Sequence, residues 1–216
     1  MPLKDRTQAG KMLAESCSLA AIESPVVVSL PRGAVPVAVE VAARLDAPID
    51  VMPVEELSSP GKPEYVVGAV AENAIHVIDA EALAALGVTE DSLAIRVAEA
   101  TAQVARMIGV YRIASADAMD ITHRHVIVVD DGSATVPALE AVAVALARRN
   151  VDSLVLATPF LRDHSPQGYE QVVTARLDED MHESVSLVGG VPYDDSAGPG
   201  HETAAQLLQE FIKSRS

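Results

Sequence analysis

His125–Ala141, HVIVVDDGSATVPALEA, decides the fold. Four apolar residues, Val126 to Val129, run into Asp130 and Asp131. Small residues follow, and Pro137 opens an Ala/Leu/Val-rich helical pattern. A short β-branched run followed by small polar residues and then helical spacing reads as a buried strand, a loop and a helix start. Such a strand delivers its last residues to the carboxyl edge of a parallel sheet, where the next helix presents unpaired N–H groups that favour anions. Asp130 and Asp131 therefore stand where sugar hydroxyls can be held while the loop after them faces a phosphate.

On these residues, Val126–Leu139 resembles the phosphoribosyl diphosphate (PRPP) signature of type I phosphoribosyltransferases: an apolar strand, Asp-Asp, then a Thr- and Gly-rich loop. The resemblance implies that Asp130 and Asp131 are the catalytic pair, holding the ribose 2′ and 3′ hydroxyls. It further implies that Gly132, Ser133, Ala134 and Thr135, in a loop running on to Ala138, wrap the 5′-phosphate. Mg²⁺ is implied as a companion of PRPP, bridging the diphosphate and reaching Asp130 and Asp131 through water. Two positions depart from the pattern. The family's glycine after the loop threonine is Val136, whose Cβ enters space where backbone should approach phosphate and which is biased away from helical angles by the next residue. That residue, Pro137, has no N–H to donate.

PRGAVPVAVEVAARLDAP, starting at Pro31, is similar to a second signature of a bacterial group of phosphoribosyltransferases whose substrate is unassigned. By that resemblance Pro31–Ala34 is the pyrophosphate loop, with Arg32, Gly33 and Ala34 supplying a guanidinium and backbone donors. On the residues alone the same segment is a strand-to-helix turn with a positive φ at Gly33. The resembling group ends its next strand in an Arg-Lys pair where this chain has Glu55 and Glu56. Two anions there oppose a bound polyanion by a few kcal/mol each, on the order of near-surface charge pairs.

The remaining chain alternates strand and helix signals. An amphipathic helix is expected over Asp5–Glu23, strands over Pro25–Leu30 and Ile49–Val54, and a helix from Val35 to Leu45. Glu55–Glu64 reads as a polar loop, Tyr65–Ala71 and Ile75–Asp79 as a β-hairpin, Glu81–Leu86 as a short helix, and Thr89–Arg112 as a long helix capped by Thr89. Beyond the central unit come a helix over Leu139–Arg149, a strand over Ser153–Thr158, a helix over Pro166–Leu177, a strand over Ser184–Val188, a long loop, and a final helix over His201–Lys213. His123 and His125 share one side of an extended segment without a third ligand in view, so strand-flanking residues are expected there rather than a metal site.

This pattern predicts an α/β fold of the type I phosphoribosyltransferase kind, a mostly parallel central sheet flanked by helices. A β-hairpin flap is expected over about residues 55–79 and a C-terminal hood over about 184–216, all within one domain, 1–216. Tyr193 and Asp194 fall where the resembling group often has an aromatic and acidic pair, which places them on the acceptor side.

The 216 residues suffice for one good core. Hydrophobic residues make up 49% and aromatics 3%, as in a small-residue α/β protein. A formal charge of −15 opposes attraction to nucleic acid and to anionic membranes, so neither is expected as a partner. The lone Cys17 excludes an intrachain disulfide. With no apolar stretch of signal-peptide or spanning kind, a cytoplasmic location is expected. The resemblance adds a homodimer and a small-molecule substrate, with transfer of 5-phosphoribosyl from PRPP to a nitrogen nucleophile and release of pyrophosphate. The alternative is a degenerate, non-catalytic member that binds another nucleotide, a sugar phosphate or a protein. A dinucleotide-binding enzyme is disfavoured because no GxGxxG follows the first strand.

Overall fold

The computed structural model describes residues 3–115, 119–161, 165–175, 193 and 197–215. Its centre is a five-stranded parallel sheet built from β1 (Val26–Ser29), β2 (Ile49–Val51), β6 (His125–Val129), β7 (Ser153–Thr158) and β8 (Gln171–Thr174), in the order β2-β1-β6-β7-β8. β1, β2, β6 and β7 are buried at nearly every position because both faces are covered, whereas β8 is a partly exposed edge. Val27, Ile127, Val129 and Val155 pack into a cluster with α3 (Ala34–Leu45), α5 (Glu90–Ser115) and α7 (His201–Ser214). Val26, Val28, Val126, Val128, Leu154 and Leu156 face the other way, onto α6 (Val136–Ala147) and Ala69, Ala71 and Ile75.

Those last three residues belong to a small antiparallel sheet of β3 (Val54–Ser59), β4 (Lys62–Ala71) and β5 (Ile75–Ile78). The expected hairpin of Tyr65–Ala71 with Ile75–Asp79 is present, but Glu55–Glu64 is not a loop. Its first half is β3, paired with β4 around a turn at Pro60-Gly61. Met52-Pro53 separates β2 from β3 where one strand was expected over Ile49–Val54; a proline cannot continue a ladder as donor.

Three further expectations are corrected. The N-terminal helix is two pieces, α1 (Arg6–Ala14) and α2 (Cys17–Ala20). Glu15 and Ser16 donate to the carbonyls three residues back, and these tight bonds end α1. α6 begins three residues earlier than expected and takes Pro137 into its first turn, where no backbone N–H is required. The segment expected as a helix over Pro166–Leu177 instead supplies β8, because Val172 and Val173 pair with the edge of β7 and Tyr169 anchors the approach by donating to the Leu139 carbonyl at 2.8 Å. The strand expected over Ser184–Val188 lies outside the described residues, as does the first part of the expected hood apart from Tyr193; the hood's final helix is α7.

α5 is capped as expected, Thr89 Oγ1 accepting from Ser92 N at 3.3 Å. α4 (Ala80–Leu86) precedes it. Among the described residues no helix is long and apolar enough to cross a membrane.

Candidate active site

β1 and β6 are neighbours, yet the chain leaves β1 toward β2 and leaves β6 toward β7, on opposite sides. The loops at their carboxyl ends therefore diverge and open a crevice, the place where parallel α/β sheets bind ligands. Pro31–Ala34 forms one wall and Asp130–Ala134 the other. Between them lies a cavity of about 380 Å³ that Glu55, Glu56, Met107, Ala197 and His201 also line.

Asp130 and Asp131 are both buried and shape the loop that follows them. Asp130 Oδ2 accepts from Gly132 N at 2.7 Å and Oδ1 from Ala134 N at 3.4 Å. Asp131 Oδ1 accepts from the Ser133 amide at 3.2 Å and from its hydroxyl at 2.5 Å. Asp131 Oδ2 pairs with Arg6 Nε at 2.7 Å, with both side chains almost wholly removed from solvent. Burial, and then the neighbouring Asp131, push the Asp130 carboxyl well above the ordinary carboxylate range, against the pull of the loop N–H groups. Asp130 Oδ1 and Asp131 Oδ2 each take only one of these bonds, so one oxygen of each aspartate can still accept from a sugar hydroxyl.

Two glycines let these walls meet. The positive φ in the Pro31–Ala34 turn belongs to Arg32, at 58°, whereas Gly33 is right-handed, at φ −58°. Gly33 is needed for space instead: a Cβ there would run into Asp131 Oδ2 and Arg6 Nε. Gly132 has φ 85°, and its Cβ would strike the Phe160 ring.

The Arg32 backbone N–H donates to Tyr111 Oη at 2.9 Å, and Tyr111 Oη lies 3.1 Å from His201 Nδ1. α5 and α7 thus hold the left-handed turn in place. Burial pushes the Tyr111 phenol up to about 12, so it remains protonated, and burial followed by the Arg32 charge lowers the His201 imidazole. A neutral histidine consequently faces the cavity beside the guanidinium.

Glu55 and Glu56 part company. Burial, then Glu56, raise the Glu55 carboxyl, with Arg32 and Arg106 opposing. Glu56 Oε1 accepts from Thr135 N at 3.0 Å, so it sits on the loop expected to hold phosphate rather than beside the pyrophosphate turn.

The structure brings Asp130, Asp131, Ser133, Ala134, Arg32 and Gly33 to one cavity. Gly132 backs onto Phe160, Ala34 opens α3, and Thr135 precedes α6. Tyr193 is buried, donates to the Asp131 carbonyl at 2.8 Å and lies under the Arg6 guanidinium, 4.6 Å from ring centroid to Cζ. Asp194 lies outside the described residues. Arg6, Tyr111 and His201 were not singled out as site residues from sequence. The pairing of Arg6 with Asp131 joins positions 125 apart, and no local spacing announces it. His123 and His125 turn to Asp152 and Ser153 respectively, and among the described residues no group of three or more His, Cys, Asp or Glu is placed to hold a metal.

Residues 3–194 match the phosphoribosyl transferase domain family model. The chain belongs to that family. It is 34% identical over 157 residues to two Mycobacterium tuberculosis proteins, the provisionally named phosphoribosyl transferases Rv0571c of strain H37Rv and MT0597 of strain CDC 1551. The match covers 72% of this chain but only 35% of either relative, so the chain spans about a third of their length. Among solved structures, TT1426 from Thermus thermophilus superposes with a TM-score of 0.71 at 32% identity, covering 98% of this chain and 99% of that one.

Proposed function

We propose that this phosphoribosyltransferase-family chain binds PRPP in the crevice between β1 and β6 and transfers its 5-phosphoribosyl group to a nitrogen nucleophile. The observation that carries this reading is the meeting of two loops: the Asp130–Ala134 loop and the Arg32–Gly33 turn share one cavity, with Gly33 packed directly against Asp131. The nitrogen lone pair forms a bond to the anomeric carbon as the bond to the diphosphate oxygen breaks, and the oxygen keeps the electron pair. Such a transition state has oxocarbenium character, so positioning and charge stabilisation supply most of the catalysis.

In this reading Asp130 and Asp131 orient the ribose hydroxyls, the Ser133–Thr135 amides and hydroxyls take the 5′-phosphate, and Arg32, with His201 beside it, faces the diphosphate. Asp130 and Asp131, hard oxygen donors on the cavity wall, would hold through water the Mg²⁺ carried in on the diphosphate. Bound there, Mg²⁺ would neutralise charge on the leaving group. Tyr193 with Asp194 remains the proposed acceptor side, Tyr193 acting from beneath Asp131 rather than from the cavity wall.

One observation favours a member that has left catalysis: among the described residues, Arg6 and Arg32 face Asp130, Asp131, Glu55 and Glu56 around the cavity. Calorimetric titration with PRPP and Mg²⁺, and separately with ribose 5-phosphate and pyrophosphate, decides between the two. Micromolar PRPP binding is expected. No heat with any of the three, from protein shown to be folded, would overturn the transferase reading.

A further inference from the structure

We infer that Glu56 is a specificity-setting carboxylate that occupies the phosphate loop from within, so that a 5′-phosphate binds only by displacing it. The inference rests on the reading that this loop receives the sugar phosphate.

The contact itself is direct. Thr135 N donates to Glu56 Oε1 at 3.0 Å, an amide at the start of α6 bonded to an anion. Such charge-assisted bonds at helix N-termini are among the stronger ones a side chain makes. Beside it, Thr135 Oγ1 is buried and has no hydrogen-bond partner among the described residues. Buried hydroxyls are ordinarily satisfied, and an orphan one calls for an explanation. Here amide and hydroxyl of the same residue are served unequally by one planar carboxylate. A phosphate monoester, with three terminal oxygens in a tetrahedral array, can accept from both. The arrangement is that of a phosphate seat held by an imperfect internal substitute.

Glu56 is carried on β3 opposite Ala69 of β4, so its release is linked to the small antiparallel sheet. β3 is irregular just beyond it: the register shifts at Leu57/Ser58 and again at Ser58/Ser59, and the buried Ser59 hydroxyl is likewise without a partner among the described residues. Ligands lacking a 5′-phosphate do not meet this barrier.

The test compares wild type with Glu56→Ala, Glu56→Gln and Glu55→Gln, each titrated with ribose 5-phosphate and with ribose. Glu55→Gln removes the same unit of charge from the same cavity wall without touching the loop. Glu56→Ala is expected to bind ribose 5-phosphate at least tenfold more tightly than wild type or Glu55→Gln, about 1.4 kcal/mol, with ribose unaffected. Glu56→Gln should gain less, because its amide oxygen still accepts from Thr135. Without ligand, hydrogen exchange at the Thr135 amide should accelerate in Glu56→Ala.

An equal gain in Glu55→Gln would overturn the inference in favour of charge alone. So would unchanged Thr135 exchange. Wild-type PRPP binding with no gain in either Glu56 variant would overturn it while leaving the transferase reading intact. Failure of every variant to bind PRPP, ribose 5-phosphate or pyrophosphate would overturn both.

Discussion

At the scale of single residues, the site is held by charges that cannot be separated without leaving one of them stranded. Arg6 and Asp131 are 8% and 1% exposed. Removing one member of a buried pair costs about 3–5 kcal/mol, because the survivor is left uncompensated in a low-dielectric setting. Arg6→Ala should therefore lower unfolding stability by about that much in urea denaturation, and Asp131→Asn on top of it should recover part of the loss. Asp130 gives a second prediction, of pH dependence. Its carboxyl is raised in the folded state, from an ordinary value of 3.8, so the native protein binds this proton more tightly than the unfolded chain does. Its contribution is fully present below about pH 4 and is lost as pH rises through the raised value. Asp130→Asn should remove this falling limb, which paired denaturation curves from pH 4 to 8 would detect. Neither effect was visible in the sequence. The Asp-Asp pair was legible because it follows a β-branched strand, but Arg6 belongs to an N-terminal helix that read only as amphipathic. Its partner is fixed by tertiary packing, which leaves no periodic trace.

Elements with apolar periodicity were legible, and those whose polarity comes from the site were not. The strands around Val27, Val128 and Leu156 declared themselves by continuous apolar runs. β3 reads VEELSS and looked like a loop, because two of its residues are carboxylates turned toward the cavity. β8 was hidden in a segment of mixed propensity, where pairing with β7 prevails over local preference. The β3–β4 hairpin is itself uneven: Lys62–Tyr65 are exposed, while Val67–Ala71 are buried against the sheet. Amides over residues 61–65 should then exchange orders of magnitude faster than those over 67–71, since local opening there exposes little apolar surface. Uniform protection along the hairpin would contradict a split between a mobile tip and a docked base.

Across the whole molecule, a mostly parallel sheet followed from the alternating strand and helix signals. The crevice did not: it depends on β1 and β6 being neighbours, a pairing that only the folded sheet reveals. Nor could the pattern carry the sign of the field inside it. A chain of formal charge −15 lines this cavity with Arg6 and Arg32 against Asp130, Asp131, Glu55 and Glu56. Two other cations are used elsewhere: Arg112 pairs with Glu72 at 2.8 Å, and Arg124 donates to the Ser24 carbonyl. Arg124 instead lines a second hollow at the opposite edge of the sheet, together with Ser24 and Arg44. The most direct measurement of the central claim is an amide NMR titration of the folded chain with PRPP and Mg²⁺. The account predicts saturable shifts concentrated at Arg32–Ala34 and Gly132–Thr135, with Thr135 the most affected. Shifts confined to the hollow around Ser24, Arg44 and Arg124, or none at either edge, would contradict it.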